Sequence, residues 1–110
     1  MVDVPYESLV TLPGQFGKQV ELDFEVHGQR VRSLVQTLST ANQLASHAMS
    51  TEAFRRWYDL SNQKGKYQFV SVYDTSNDAF RDDDLKRLAS VSTLFGFPAE
   101  QEPLKAALAA

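Results

Sequence analysis

His27 and His47 are the two imidazoles of the chain, and imidazole is the side chain that most readily trades a proton near neutral pH. Neither stands at a spacing from a serine or aspartate that defines a nucleophilic triad, although triads are assembled in space and not along the chain. Both read as ordinary exposed histidines, His27 in a turn and His47 on the polar side of a helix. Two imidazoles are too few for an all-histidine zinc site, and no His-Glu-x-x-His pattern occurs. With no cysteine in the sequence, disulfides, thiolate zinc, iron–sulfur ligation and a cysteine nucleophile are excluded together. Asp74, Ser76, Asp78 and Asp82 follow the ligand spacing of a calcium-binding EF-hand loop. The glycine of that loop's sharp turn and its closing bidentate glutamate are here Ala79 and Leu85. The expectation is therefore no catalytic residue, no metal ligand and no cofactor.

Aromatic and basic residues offer a different chemistry. Phe54-Arg55-Arg56-Trp57-Tyr58 gathers, within two helical turns, the residue types enriched at protein–protein hot spots. Phe54 and Trp57 are expected in the core, with Arg55, Arg56 and Tyr58 at a rim able to meet a partner. Six residues further on, Lys64-Gly65-Lys66-Tyr67-Gln68-Phe69-Val70-Ser71-Val72-Tyr73 sets Tyr67, Phe69 and Tyr73 at alternate positions beside Lys64 and Lys66. With one inserted residue, this stretch resembles the aromatic strand of RNA-recognition motifs. The resemblance implies Tyr67 and Phe69 as base-stacking rings, with Asn77-Asp78-Ala79 opening the following helix. An aromatic strand packed under a helix accounts for the same letters.

Composition separates these readings. The formal charge is −3, from 11 Lys+Arg against 14 Asp+Glu, which disfavours binding driven by phosphates. Arg55, Arg56, Lys64 and Lys66 could still form one local positive patch. At 43% apolar and 11% aromatic residues, the chain can build a core and have aromatics to spare for a partner surface. No apolar run is long enough to span a bilayer, and Met1-Val2-Asp3-Val4-Pro5 carries neither a basic nor an apolar leader segment. A cytoplasmic location is the resulting expectation.

The elements that position these residues follow from periodicity. Val20, Leu22, Phe24 and Val26 alternate with Glu21, Asp23 and Glu25, the pattern of a half-buried strand. His27-Gly28 predicts a tight hairpin. A loop at His27-Gly28 pairs Phe24 with Val31; a loop one residue on pairs Val26 with Val31. Ser8–Leu12 is a possible further short strand. Ala41, Leu44, Ala45, Ala48 and Met49 recur at helical spacing behind a Ser39 or Thr40 cap, and Phe54, Trp57 and Tyr58 continue the helix after a break or bend near Ser50. Lys66–Tyr73 reads as a strand with apolar residues on both sides. A helix is expected from about Asp82 to Phe95, with Asp82, Asp83 and Asp84 favourable at its N-terminus.

The fold so predicted is a two-layer α+β domain spanning 1–110. A mostly antiparallel sheet carries the hairpin of about 18–35 and the strand of about 66–73, and helices near 40–63 and 82–95 cover it. Residues 1–17 are irregular or a short strand, and 98–110 form a tail with a terminal helix. Its last residues, Ala107-Leu108-Ala109-Ala110, look like the end of the bacterial transfer-messenger-RNA degradation tag. The function expected is a non-catalytic binding or regulatory protein, acting through a protein partner or as a homodimer around Arg55, Arg56, Trp57 and Tyr58. The alternative is a single-stranded nucleic-acid binder using Lys64, Lys66, Tyr67, Phe69 and Tyr73.

Overall fold

Tyr6–Pro13 (β1) and Gln19–His27 (β2), the second with strictly alternating apolar residues, are strands joined by a turn in which Gly17 takes φ 82°. Arg32–Leu38 (β3) completes an antiparallel unit. The helix Gln43–Asp59 (α1) then carries the chain back, so that Gln68–Asp74 (β4) lies parallel to β3. Asp82–Ala89 (α2) repeats the crossover, and Thr93–Phe97 (β5) lies parallel to β4. A helix after each strand is what parallel pairing demands. The result is an α+β structure with a five-stranded mixed sheet in the order β1-β2-β3-β4-β5. Helix Gln101–Ala109 (α3) ends the chain. The computed structural model describes residues 4–110; Met1, Val2 and Asp3, the first residues of the Met1–Pro5 segment, lie outside them.

The larger core lies between the sheet and α1 and α2, around Leu34, Leu38, Trp57, Leu60, Phe69 and Leu88. A smaller one lies on the opposite face, where Leu104 and Leu108 of α3 meet Val26, Val35 and Val70. Strand β4 therefore sits between two apolar layers, as its two apolar sides predict, with Phe69 facing one and Val70 the other. The tail helix is a structural layer in its own right.

Ser8–Leu12 is a strand as expected, the middle of the longer β1, paired to β2 on both sides of Leu9. Three sequence expectations are corrected. The hairpin register pairs Phe24 with Val35 and His27 with Arg32, leaving Gly28–Val31 as the loop in place of either tighter turn. Gly28 is there for close approach: a Cβ would lie 2.7 Å from the Leu108 carbonyl oxygen and 2.8 Å from that of Val31. Helix α2 ends at Ala89, and the residues up to Phe97 that continue its apolar stripe instead join the sheet as β5. Helix α1 begins behind Asn42, whose Oδ1 accepts hydrogen bonds from the Leu44 and Ala45 amides, and it runs unbroken past Ser50. Its buried residues are Ser46, Ser50, Ala53 and Trp57, while Leu44 is 85% exposed. Small residues win the inner face because they let the helix approach: the Ser46 hydroxyl bonds the Ala79 carbonyl and that of Ser50 bonds back to Ser46.

The alternation in β2 also changes meaning midway. Leu12, Val20 and Leu22 belong to the α1 core, whereas Phe24 and Val26 belong to the α3 core. Both strands of the β1–β2 ribbon change faces at Leu9 and Asp23, the one pair missing from a ladder whose register is the same on either side. There Leu9 adopts φ 53°, and the Asp23 carboxylate accepts hydrogen bonds from the Thr37 amide (2.7 Å) and hydroxyl (3.2 Å). A leucine in the left-handed region costs about 1–2 kcal/mol that glycine largely avoids, and its exposed side chain forfeits little packing. Leu9→Gly is therefore expected to leave stability unchanged or raise it by up to about 1 kcal/mol in urea denaturation, after glycine's extra unfolded-state entropy. A loss well beyond that size contradicts the local conformation.

Candidate functional site

Trp57 is 1% exposed and stacks on Phe69 at 4.6 Å between centroids. Its indole N–H donates to the Ser71 hydroxyl at 2.8 Å, which in turn lies 2.7 Å from that of Ser92. As a residue meant to touch a partner, Trp57 is corrected to a core anchor. Tyr58, one residue on, points outward. Its ring stacks at 5.9 Å and 28° on Phe16 from the β1–β2 turn, and the two are 55% and 61% exposed. The turn is fixed against the helix end by the Gln15 side chain, which donates to the Tyr58 carbonyl at 2.7 Å, and by the Gln15 amide, which donates to that of Asp59. Arg55 lies one turn before Tyr58 on the same face and, among the described residues, pairs with the exposed Glu52, at 3.7 Å. Arg56 is turned aside, toward Gln36 (3.4 Å) and Glu52 (3.9 Å). Phe16 is the member of this surface that periodicity does not reveal, because it stands in a turn. The one signal was a large aromatic between Gly14 and Gly17.

The aromatic strand is not an open platform. Phe69 is buried beneath Trp57, which corrects its reading as a base-stacking ring. Tyr73 is half-buried against Phe80 at 5.8 Å. Half-buried Tyr67 and exposed Lys64 border a cleft of about 330 Å³ beside the end of α2, and Lys66 is also exposed. Tyr67 and Tyr73 are separated by most of the strand, roughly 20 Å at the usual rise per residue. Of the proposed nucleic-acid set, the fold brings together only Lys64, Tyr67 and the edge of Phe69.

Both histidines face carboxylates. His47 Nδ1 lies 3.0 and 3.1 Å from the two oxygens of Asp84, which also accepts from the Arg87 guanidinium at 3.0 Å. Asp84 is buried, so it is a core ion-pair partner clamping α2 to α1 and not a solvated dipole residue. Arg87 further reaches the Thr51 hydroxyl and lies over the Phe54 ring. His27, in the last position of β2, has Nε2 3.3 Å from Glu25 and 3.5 Å from Glu7. In the acidic segment, the Asp74 carboxyl is held below the usual carboxylate range, chiefly by the Ser76 hydroxyl, then by the Ser76 amide and more weakly by Ser39. These bonds make a local turn.

A cavity of about 320 Å³ lies between the sheet and α3, walled by Phe24, Val26, Val35, Val72, Phe97 and Leu104 among others. Ligand pockets of this size usually add a few placed polar groups. Here the Thr37 hydroxyl at its wall is already committed to Asp23. The final residues are docked: Leu108 is buried, and the Gln29 and Arg30 amides donate to the Ala109 and Ala110 carbonyls. A free degradation-tag-like tail is thus not what the C-terminus forms.

No protein-family model and no curated protein matches the chain. The solved structure of AF1548, a protein of unknown function, shares the fold, with a TM-score of 0.62 at 15% identity. The match covers 86% of this chain and 50% of the other, so the present chain spans about half the length of that protein. None of the helices in the described residues is long and apolar enough to cross a membrane.

The Asp84 clamp yields a direct test. Asp84→Ala removes the carboxylate that Arg87 and His47 share and, because both partners are part-exposed, is expected to cost about 1.5–3 kcal/mol in chemical denaturation. A loss below about 1 kcal/mol would show that α2 is held by its apolar contacts alone.

Proposed function

We propose that the protein is a non-catalytic intracellular binding or regulatory module that acts through a protein partner or a second copy of itself. The contact surface in this reading is the end of α1 and the facing turn: Phe16, Tyr58 and Arg55. The observation that carries it is the exposed Phe16–Tyr58 stack. Two rings held against each other, each more than half in water, gain little from the fold they belong to. Covering them is worth roughly 1–3 kcal/mol per ring. Their backbone is pinned by the Gln15 contacts to α1, so little ordering entropy is lost on association. Arg55 adds a cation whose exposed pairing with Glu52 is worth little by itself, leaving it free for an acidic partner. Trp57 contributes by holding α1 to the sheet beneath this surface.

The test compares the wild type with Phe16→Ser/Tyr58→Ser in two assays. One is an affinity pull-down from host lysate with and without nuclease; the other is sedimentation across a concentration series. The reading expects a nuclease-resistant protein complex or a concentration-dependent dimer, abolished in the double variant while its melting temperature stays close to wild type. Retained association in the variant contradicts the surface. Recovery of nucleic acid alone transfers the function to the Lys64–Tyr67 cleft.

A further inference from the structure

Glu7, Glu25 and His27 form a cluster that lies outside the Phe16–Tyr58 surface. We propose that it is a divalent transition-metal site, of the zinc class, linking β1 to β2.

The register places Glu7 directly opposite Glu25. Two carboxylates facing each other across neighbouring strands repel, so the arrangement calls for a cation between them. Glu25 is only 8% exposed, which makes solvent a poor substitute. His27 stands two residues beyond Glu25, on the same face of β2. Its Nε2 is shielded from solvent and has no hydrogen-bond partner among the described residues, although both carboxylates lie within 3.5 Å. A ring nitrogen set between two carboxylates without a hydrogen bond to either can act as a metal donor, in competition with the protonated ring pairing both carboxylates directly.

The spacing fits a metal ion. Tetrahedral zinc, bonded at about 2.0–2.1 Å to nitrogen and oxygen, holds its ligand atoms roughly 3.3–3.4 Å apart. The two separations from His27 Nε2 are 3.3 Å to Glu25 and 3.5 Å to Glu7. All three donor atoms lie within 4.8 Å of one another, and the exposed Glu7 side chain can close the remaining gap by a small rotation. Imidazole with two carboxylates is a borderline donor set suited to zinc, and three protein ligands leave a fourth position for water on the Glu7 side. Arg32, 3.8 Å from Glu25 and largely exposed, is the competing cation and can swing into solvent when a metal enters.

The experiment is calorimetric titration of Zn²⁺ into the full chain after chelator dialysis, with Co²⁺ absorption as a reporter of coordination geometry. One equivalent is expected to bind saturably, with a tetrahedral Co²⁺ spectrum. Glu7→Gln, which alters an exposed side chain and leaves folding intact, and His27→Ala are each expected to weaken binding roughly tenfold or more. His47→Ala is expected to bind as the wild type does. Absence of saturable binding up to millimolar Zn²⁺ overturns the site. So does binding that survives Glu7→Gln and His27→Ala, or that is lost in His47→Ala. The outcome is independent of the protein-partner reading, since no residue of the cluster belongs to the Phe16–Tyr58 surface.

Discussion

The buried indole of Trp57 is the constraint around which the rest is arranged. A tryptophan that gives up water must lay its ring on an apolar face and find an acceptor for its N–H. Here Phe69 supplies the face and Ser71 the acceptor, both from alternate positions of β4. Ser71 in turn meets Ser92, whose hydroxyl donates to the Leu88 carbonyl at the end of α2. One chain of contacts thus fixes α1 to the sheet and α2 to both. Because ring and serine come from the same side of one strand, a slip in register would lose both together.

That anchoring divides α1 into two faces with different consequences. The inner face is lined with small residues, which bring the helix close enough for serine hydroxyls to reach backbone carbonyls. The outer face inherits large residues that the core has no room for, Leu44 and Tyr58 among them. At its C-terminal end the β1–β2 turn rises against the helix and delivers Phe16 to Tyr58. An exposed aromatic surface is in this sense a product of close helix packing, and it is the feature on which the proposed interaction rests.

Much of this was legible in the letters, and the failures have identifiable causes. The alternation of β2, the apolar sides of β4 and the aromatic run of α1 reported local periodicity correctly, because each apolar position meets a core, in β2 first the one under α1 and then the one under α3. Trp57 was readable as core but not as an anchor, since its serine acceptor is distant in sequence. Leu44 and Met49 misled because helical spacing says which residues share a stripe, and here the protein buries the serine stripe instead. Thr93–Phe97 extends the period of α2 and becomes a strand only because β4 offers it an open edge. The change of face at Leu9 and Asp23 leaves strict alternation intact while reversing its meaning, so no pattern of period two could disclose it. Glu7, Glu25 and His27 meet through strand register, which a chain read in one dimension does not contain. Asp84 looked like its neighbours Asp82 and Asp83 and differs only in facing His47 and Arg87.

Hydroxyl-radical footprinting of the native protein with residue-level mass spectrometry distinguishes a closed inner face from an open aromatic end on the one helix. Rapid labelling of Phe16 and Tyr58 is expected, with Trp57 and Phe69 protected until the chain is unfolded, despite the high intrinsic reactivity of tryptophan. Comparable labelling of Trp57 and Tyr58 in the native state, or protection of Phe16 and Tyr58 in the monomer, would contradict this division of the helix.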